Sequence, residues 1–453
     1  MIRAMELSAY LRTLVAGAEV KVPLDSGDYV PAINFDNAAT TPPFNAVMAR
    51  IANFAAWYSS IHRGKGYKSV LASDLYEEGR NVLAQFVNAD KQRDHIIYTK
   101  NTTESINMLA YLLQQQDREQ MILSTEMEHL ANDLPWREKF RVEYAAVDPD
   151  GRLSLADLEN RLIKFRGKIK LVTVTGASNV VGYVNPVHDI ARTAHKYGAK
   201  ILVDAAQLVP HAAIDMKPCD SPEHLDYLVF SGHKMYAPFG MGVLVGPREL
   251  FDNTEPVYRG GGAVRLAGRD FIQWSEGPAR DEAGTPNLMG VVAMITAIKT
   301  MQSIGLKVIH NYERYLLEYL WAGLESISHL RLYAQAVRQG QKEERVSLIS
   351  FNMEDVHHNV LAEILSREAG IAVRSGMFCA HPYVQKLLQL SPEQLEYYRT
   401  TPNVPLPGMV RVSLGLYNNV QEIDALLDML HKIVNNRPFF KHKYQHAALS
   451  AHP

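Results

Sequence analysis

A lysine at the end of an apolar run is the first residue whose setting in this sequence indicates chemistry. Lys234 follows the run DYLVFS (Asp226–Ser231) and stands between a histidine and a methionine. Burial at such a strand end lowers the pKa of an amine and frees it as the nucleophile that Schiff-base chemistry requires. An ordinary exposed lysine in a surface turn explains the same letters, because most lysines are exposed.

Asp204 and Gln207 form a second candidate pair. Asp204 ends the apolar run AKILVD (Ala199–Asp204), where a carboxylate needs a cationic or hydrogen-bonding partner to offset its burial. A protonated pyridine nitrogen is such a partner, and holding that proton makes the ring an electron sink. Capping of the next helix is the alternative use of the same aspartate.

Thr102 and Thr103 are the third candidate, between the run IIYT (Ile96–Thr99) and a helical pattern over Glu104–Leu113. The free N–H groups and the dipole of a helix N-terminus favour phosphate, although a capping box explains the same letters without a ligand. Each candidate alone is weak. Together, a lysine, an aspartate and a phosphate cradle at the strand ends of one sheet are the parts of a pyridoxal 5′-phosphate (PLP) site.

Short apolar runs that alternate with helical patterns must position these candidates. The predicted strands are Ile96–Thr99, Met121–Ser124, Val142–Val147, Ile169–Val174, Ala199–Asp204, Asp226–Ser231 and Gly242–Gly246. The predicted helices are Glu104–Leu113, Ala131–Phe140, Val187–Tyr197, Leu288–Ile304 and His358–Glu368. Strands that are apolar throughout indicate an α/β fold, with a mostly parallel sheet covered by helices on both faces. A ligand is expected at the carboxyl ends of such strands.

The chain is predicted to divide into four parts. Residues 1–35 form an N-terminal segment on the small domain, 36–300 the large PLP-binding domain, 301–435 a small α+β C-terminal domain, and 436–453 a tail. The small domain is expected to contain the strands Ser347–Met353 and Arg411–Tyr417. Metal binding by the His-containing tail is one interpretation, but a frayed, solvated end is favoured because disorder concentrates at chain termini.

Composition excludes several classes of function. The 453 residues allow two or three domains of about 150 residues each, and 47% hydrophobic with 21% charged residues is typical of a globular protein. A formal charge of −2 gives no basis for binding nucleic acid or an anionic membrane. With two cysteines, no secretory leader and no apolar run of about 18 residues, a reducing, cytoplasmic location is expected.

The ordered motifs of the chain resemble those of class V aminotransferase-fold PLP enzymes, and within them the cysteine desulfurase/selenocysteine lyase group of the Suf type. The matching motifs are NFDNAATTPP (Asn34–Pro43), IHRGKG (Ile61–Gly66), NTTESIN (Asn101–Asn107), EMEHLANDLPW (Glu126–Trp136), SNVVGYVNP (Ser178–Pro186), LVDAAQ (Leu202–Gln207), VFSGHKMYAPFGMG (Val229–Gly242), RGGG (Arg259–Gly262), EAGTPN (Glu282–Asn287), VRSGMFCAHP (Val373–Pro382) and RVSLGLYNN (Arg411–Asn419). The resemblance implies the PLP-dependent transferase fold type I, with a seven-stranded sheet, and a homodimer whose active sites lie at the subunit interface.

The resemblance also implies a role for each residue at a matching cofactor position. Lys234 would bind PLP covalently and later move the Cα proton of the substrate, and His129 would stack on the pyridine ring. Asp204 would hold the ring nitrogen and Gln207 the phenolic oxygen, with Asn179 nearby.

The phosphate and the substrate have their own implied ligands. The phosphate would be bound by Thr102, Thr103, Ser231, His233 and, from the other subunit, Thr285. Arg411 would pair with the α-carboxylate of an amino-acid substrate, where a planar guanidinium suits bidentate recognition. Arg374 and His62 would line the substrate pocket, and no metal ligand is expected.

Cys379 decides which reaction the resemblance implies. It fills the cysteine of an R-x-G-x-x-C-A-x-P segment, which in the resembling desulfurases attacks the substrate sulfur, becomes a persulfide and releases alanine. The implied reaction converts L-cysteine to L-alanine, with the sulfur passed from Cys379 to an acceptor protein. A buried structural cysteine is the alternative, and Cys219, which matches no motif, is expected to be one.

Three departures from the family pattern leave a second reaction open. Met377 and Phe378 replace two histidines, Gly176 replaces another, and the stretch from Pro382 to Met409 is longer than the pattern. A class V lyase, epimerase or aminotransferase that acts on another amino acid without a persulfide is therefore the alternative function. A non-catalytic scaffold is disfavoured, because the chain keeps the lysine, aspartate, histidine and arginine of the site.

Overall fold

A computed structural model describes residues 2–334 and 344–444 of the chain, and its largest feature is a seven-stranded sheet. Across the sheet the strands are Asp94–Thr99, Gly242–Pro247, Tyr227–Ser231, Lys200–Asp204, Ile169–Thr175, Met121–Thr125 and Arg141–Ala145. Every pairing is parallel except those of Gly242–Pro247, which runs antiparallel to both neighbours. The predicted α/β fold with a mostly parallel sheet is confirmed.

Helices cover both faces of this sheet. The α-helices of the described residues are Ile2–Thr13, Asn45–Ala55, Tyr67–Val87, Thr102–Gln116, Leu134–Arg137, Leu155–Lys164, Val187–Lys196, Arg248–Asp252, Leu288–Ile304, Leu306–Glu325, His358–Ala369, His381–Leu387, Pro392–Thr400, Val420–Asn435 and Arg437–Lys443. Successive strand residues face opposite sides, so Leu202 joins one apolar cluster while Ile201 and Val203 join the other. This double burial explains why the strands are apolar throughout.

The predicted helix over Ala131–Phe140 is wrong in extent. The chain forms a single 3-10 turn at Leu130–Asn132 and then a short helix, Leu134–Arg137. Asp133 lies between the turn and the helix and has a non-helical backbone. Pro135 lies in the first turn of the helix Leu134–Arg137. Because proline has no backbone N–H, it suits the start of a helix and cannot continue an earlier one.

A smaller antiparallel sheet lies in the C-terminal part of the chain. Its strands, in order, are Leu330–Tyr333, Leu348–Met353, Met409–Ser413 and Arg374–Gly376. The strand expected over Arg411–Tyr417 ends at Ser413, because Asn418 closes a turn by donating its N–H to the carbonyl of Gly415. Three two-stranded pairs complete the sheets: Lys21–Pro23 with Tyr29–Pro31, Val264–Ala267 with Ile272–Trp274, and Ile33–Asn34 with Ile371–Ala372.

Two of the predicted domain boundaries, near residue 300 and at the start of the tail, can be compared with the observed helices. The helix Leu288–Ile304 runs through residue 300 and ends at Gly305, whose φ of 92° lies in the left-handed half of the map. The predicted solvated tail differs over Arg437–Lys443, which is a helix with Phe440 buried in the main apolar cluster. An aromatic side chain that reaches a core offsets the fraying of a terminus. Residues 445–453 of that tail lie outside the described residues.

Within the described residues, no single helix is long and apolar enough to cross a membrane; the adjoining helices Leu288–Ile304 and Leu306–Glu325 meet that test of length and composition only as a pair bent by 77°.

Candidate active site

A cavity of about 240 Å³ lies at the carboxyl ends of the parallel strands. Residues of the seven-stranded sheet and of the smaller, four-stranded sheet both line it. The predicted site residues that line it are Thr102, Thr103, His129, Asn179, Asp204, Gln207, Ser231, His233, Lys234, Arg374, Cys379 and Arg411. The structure thus brings together residues that are spread over three hundred positions of sequence.

Two predicted site residues do not line this cavity. His62 is exposed, and its Nε2 lies 3.1 Å from Oε1 of Glu77. Thr285 is also exposed. The structure of the single chain therefore does not bring these two residues together with the other candidates.

Thr102 and Ser231 bring two strand ends into direct contact. The backbone N–H of Thr102 donates to Oγ of Ser231 at 2.8 Å, and the two hydroxyl oxygens lie 2.7 Å apart. The Asn101 side chain caps the helix Thr102–Gln116 by accepting from the N–H of Glu104 at 2.9 Å. The helix N-terminus and these hydroxyls form a cluster of donors suited to a phosphate group.

Gly242 makes this contact between strand ends possible. It pairs with Thr99 on one side and Ser231 on the other, so it lies between the two halves of the donor cluster. A Cβ at this position would lie 2.6 Å from backbone Cα of Asn101, closer than any real contact allows. A larger residue would therefore displace the backbone that begins the helix.

Lys234 stands in a 3-10 turn directly after the strand Tyr227–Ser231. The turn is held by Thr41, whose N–H donates to the carbonyl of His233 at 2.9 Å. Burial lowers the pKa of Lys234 to about 8; Arg411 lowers it too, and the opposing effect of Asp204 is smaller than that of burial. About a tenth of the amine is thus neutral at pH 7, far more than for an ordinary lysine, and the neutral amine is the form that attacks an aldehyde carbon.

Asp204 and Gln207 line the cavity with buried polar side chains that can form further hydrogen bonds. Oδ1 of Asp204 accepts from the N–H of Ala206 at 3.0 Å, and burial raises the pKa of this carboxyl. Nε2 of Gln207 donates to the carbonyl of Ala38 at 2.6 Å, while its Oε1 is buried without a partner among the described residues. A bound polar ligand would satisfy both side chains.

His129 is held as a neutral ring. Its Nδ1 accepts from the N–H of Ala131 at 3.0 Å, so the proton of the neutral imidazole lies on Nε2. Burial, together with the positive charges of Lys234 and Arg411, lowers its pKa to about 4. A neutral, oriented ring can lie against the face of an aromatic ligand without a charge penalty.

Arg411 is a buried cation, one of whose nitrogens has no partner among the described residues. Nη1 donates to the carbonyl of Asn179 at 2.7 Å and Nη2 to Oδ1 of Asp36 at 3.2 Å, while Nε is buried without a partner in the described part of the chain. The guanidinium carbon lies 4.9 Å from the centre of the Phe378 ring. Burial lowers its pKa to about 10, so the group stays charged and can receive a carboxylate. Arg374 approaches the same carboxylate, with Nη1 3.7 Å from Oδ2 of Asp36.

Cys379 lies at the exposed mouth of the cavity in a tight left-handed turn. Phe378 and Cys379 have φ of 50° and 53°, and the N–H of Ala380 closes the turn on the carbonyl of Met377 at 2.8 Å. The carbonyl of Cys379 accepts from the N–H of Leu130 at 2.7 Å. Neither Phe nor Cys favours this backbone, and such strain is found where a site fixes the direction of a side chain.

Sequence reasoning assigned no role to two carboxylates of the site. Asp36 holds Arg411, as described above. Glu128 is fully buried beside His129 and accepts hydrogen bonds from Thr125, Asn132 and Thr175. Burial raises its pKa to about 8. Both lie inside motifs that carried the resemblance, but no local pattern distinguishes them: Asp36 is followed by Asn37, and Glu128 stands between Met127 and His129 with Glu126 nearby.

The donor set fits PLP. The helix N-terminus with Thr102 and Ser231 suits the phosphate, Asp204 the ring nitrogen, and His129 the face of the ring. Oε1 of Gln207, which lines the cavity and has no partner among the described residues, is left for a polar substituent of the ring. Lys234 then supplies the amine for the aldehyde, so every functional group of the cofactor has a matching residue.

Comparison with known proteins agrees with this geometry. Residues 33–426 match the aminotransferase class-V family. A probable cysteine desulfurase of Synechocystis sp. is 37% identical over 89% of this chain and 91% of its own length. A cysteine desulfurase of Haloferax volcanii is 33% identical over 91% of this chain and 92% of its own.

Solved structures give the same result. The apo structure of a cysteine desulfurase from Thermococcus onnurineus NA1 is 31% identical, with a TM-score of 0.79 over 89% of this chain and 95% of that one. An Escherichia coli cysteine desulfurase is 25% identical, with a TM-score of 0.78 over 95% and 98% of the two chains. The family match, which spans most of the sequence, and the relatives that are more than 30% identical lead to one conclusion: this chain belongs to the aminotransferase class-V family.

Proposed function

We propose that this protein is a PLP-dependent cysteine desulfurase, which converts L-cysteine to L-alanine and keeps the sulfur as a persulfide on Cys379. The observation that carries the proposal is that Cys379 lines the same cavity as Lys234, Asp204 and Arg411. The class-V family is PLP-dependent, and several similar proteins bear the name cysteine desulfurase.

The cofactor would be held by the residues whose contacts fit it. Thr102, Ser231 and the start of the helix Thr102–Gln116 would bind its phosphate, with Thr103 and His233 beside them. Asp204 would keep the ring nitrogen protonated, and His129 would support the ring. When bound, PLP supplies an electron sink that stabilises negative charge at the substrate Cα.

Arg411 and Lys234 prepare the substrate. Nε of Arg411, which is buried without a partner among the described residues, would pair with the α-carboxylate. Asp36 and the carbonyl of Asn179 fix the guanidinium plane, so binding requires little reordering of the arginine. Nζ of Lys234 would move the proton of Cα, because it is a base with a pKa of about 8 at the centre of the cavity.

Cys379 would receive the sulfur. Its thiolate Sγ attacks the sulfur of L-cysteine, an S–S bond forms, and the Cβ–S bond breaks with its electron pair left on Cβ. Cβ then takes up a proton, so the thiol of Cys379 and L-cysteine give the persulfide and L-alanine. The left-handed turn at Phe378 and Cys379 holds Sγ at the mouth of the cavity, where an acceptor protein can reach the product.

A homodimer would complete the site. Thr285 and His62 are exposed and lie outside the cavity of their own chain, so we infer that they reach the cavity of a second copy. Large apolar side chains near His62 are exposed in the single chain, including Trp57 at 44% and Tyr67 at 75%. Their burial would favour association.

The decisive test is the reaction with L-cysteine. Purified protein reconstituted with PLP is incubated with L-cysteine, alanine is quantified, and the persulfide is located by mass spectrometry of alkylated peptides. We expect one persulfide on the peptide that contains Cys379, and loss of alanine formation in Cys379→Ala.

Cys219→Ala is the matched control, because it removes the other cysteine of the chain, which does not line the cavity. It is expected to retain alanine formation. If Cys379→Ala still forms alanine at the normal rate, the proposed sulfur transfer is wrong. If neither protein forms alanine, a lyase, epimerase or aminotransferase acting on another amino acid becomes the better candidate.

A further inference from the structure

A second cluster of reactive side chains lies at the start of the strand Asp94–Thr99, away from the carboxyl ends of the strands where the cavity lies. Asp94 is the first residue of the strand Asp94–Thr99, whose other end meets the active-site cavity. Cys219 and His224 lie in the loop between the strands Lys200–Asp204 and Tyr227–Ser231. A carboxylate oxygen, the cysteine sulfur and a histidine ring nitrogen all lie within 4.8 Å of one another.

His224 has one ring nitrogen free to bind a cation. Its Nδ1 lies 2.9 Å from the carbonyl oxygens of both Met216 and Lys217. Carbonyl oxygens only accept, so Nδ1 carries the proton and Nε2 of the neutral ring is left with a lone pair. His224 is only 8% exposed, and the hydrogen bonds of its ring in the described residues are made by Nδ1. Metal-bound histidines are commonly held in this way, with the other ring nitrogen donating to a backbone carbonyl.

The surroundings favour a cation. Asp94 is 4% exposed, and Asp90 and Asp226 are close enough to add their negative charge to its own. Arg93 opposes these charges at Cys219. A carboxylate oxygen, a sulfur and a ring nitrogen converge here. When Asp94 is ionised, the only hydrogen-bond donor between these three side chains is the thiol of Cys219, because the N–H of His224 points to the carbonyls of Met216 and Lys217. A divalent cation would satisfy all three atoms at once.

We propose that Asp94, Cys219 and His224 bind Zn²⁺, with a water molecule as the fourth ligand. Thiolate, imidazole and carboxylate are the ligand types that zinc takes in proteins. Tetrahedral zinc with ordinary bond lengths places ligand atoms about 3.4–3.6 Å apart, so small side-chain rotations would close the observed cluster. Cys219 is partly exposed, which leaves a coordination position open to water. Binding releases the thiol proton to solvent.

Such a site would fasten a loop to the sheet. The loop that holds Cys219 and His224 leads directly into Tyr227–Ser231, the strand that precedes Lys234. Zinc would tie this loop to the start of Asp94–Thr99, the strand that precedes Thr102. The metal would thus act at a distance from the reaction, as a structural clip, and it is independent of the proposed desulfurase activity.

The test uses the full chain, without an affinity tag, as the PLP-loaded protein. Because Cys379 is the other thiol of the chain, all measurements are made in the Cys379→Ala background. After treatment with a chelator, Zn²⁺ is returned by equilibrium dialysis and bound metal is counted by mass spectrometry. We expect one zinc per chain, and a thiolate-to-metal charge-transfer band in the Co²⁺ difference spectrum.

Cys219→Ser in the same background is the matched variant. We expect it to lose the charge-transfer band and to bind Zn²⁺ about 100-fold more weakly or worse. Asp94→Asn is a second variant, which keeps the thiol and serves if the serine variant fails to fold by circular dichroism. Absence of zinc from the parent, or equal affinity in the folded variants, would overturn the proposal, since retained binding would then be adventitious.

Discussion

Gly242→Ala is expected to loosen the phosphate cradle without touching any residue that contacts the cofactor. Gly242 pairs with Thr99 and Ser231 at once. Its new Cβ would lie 2.6 Å from Cα of Asn101, and ordinary contact begins at 3.4 Å, so the Asn101 backbone must move by about 0.8 Å. Thr102 follows Asn101 in the chain and would move with it.

The size of the effect follows from the bonds that this movement strains. The bonds of 2.8 and 2.7 Å between Thr102 and Ser231 would lengthen to about 3.5 Å, the limit of a hydrogen bond. Overpacking of this kind costs about 1–3 kcal/mol of unfolding free energy. Loss of one charge-assisted hydrogen bond to the phosphate weakens the binding free energy of PLP by about a further 1.5–3 kcal/mol. This corresponds to an affinity for PLP that is about 10- to 100-fold lower.

The assay is a titration of cofactor-free protein with PLP, followed by absorbance and combined with thermal unfolding. Gly246→Ala is the control, because Gly246 lies in the same strand and its Cβ would meet the Tyr227 ring at 2.7 Å, away from the cradle. Both variants should lose stability, and only Gly242→Ala should lose PLP affinity. Unchanged affinity in Gly242→Ala, or equal loss in the control, would refute the reasoning.

Two further predictions concern charged groups of the cavity. Burial lowers the pKa of Lys234 to about 8, so PLP uptake by cofactor-free protein should accelerate as the pH rises through 8 and then level off; stopped-flow absorbance measures this, and a plateau reached only near pH 10 would contradict it. Arg411→Lys should raise the KM for L-cysteine by about 10- to 100-fold, more than it lowers kcat, because the single nitrogen of an ammonium cannot occupy the separate positions from which Nη1 and Nη2 bond Asn179 and Asp36 while Nε receives a carboxylate. Steady-state kinetics checks this, and an unchanged KM would show that the carboxylate binds elsewhere.

The sequence predicted the strands that carry the site better than the contacts between them. Asp204 and Lys234 end runs of apolar residues, and parallel strands place such ends at one edge, so their meeting followed from local patterns. The pairing of Asp36 with Arg411 joins positions far apart in the chain, and no local pattern indicates it. The same holds for the proposed zinc ligands, since Asp94 is remote in sequence from Cys219 and His224.

Other differences arise where tertiary contacts override local preference. Phe378 and Cys379 take a left-handed backbone that neither residue favours, and the turn is held by bonds to Leu130 and Asn179 from other segments. The helix Arg437–Lys443 was not predicted because its sequence is largely polar, and only the burial of Phe440 shows why it is ordered.

The antiparallel strand Gly242–Pro247 has a consequence for the order in which the protein forms on the ribosome. The strand Asp94–Thr99 lies at the edge of the sheet, and Gly242–Pro247 is its sole neighbour within the described residues. During synthesis the earlier strand must therefore wait, unpaired, until nearly 150 further residues have emerged. The cofactor site cannot exist in a shorter nascent chain, because its two phosphate-binding halves have not yet been joined. The cofactor site of a growing chain therefore stays incomplete at least until residue 247 has emerged.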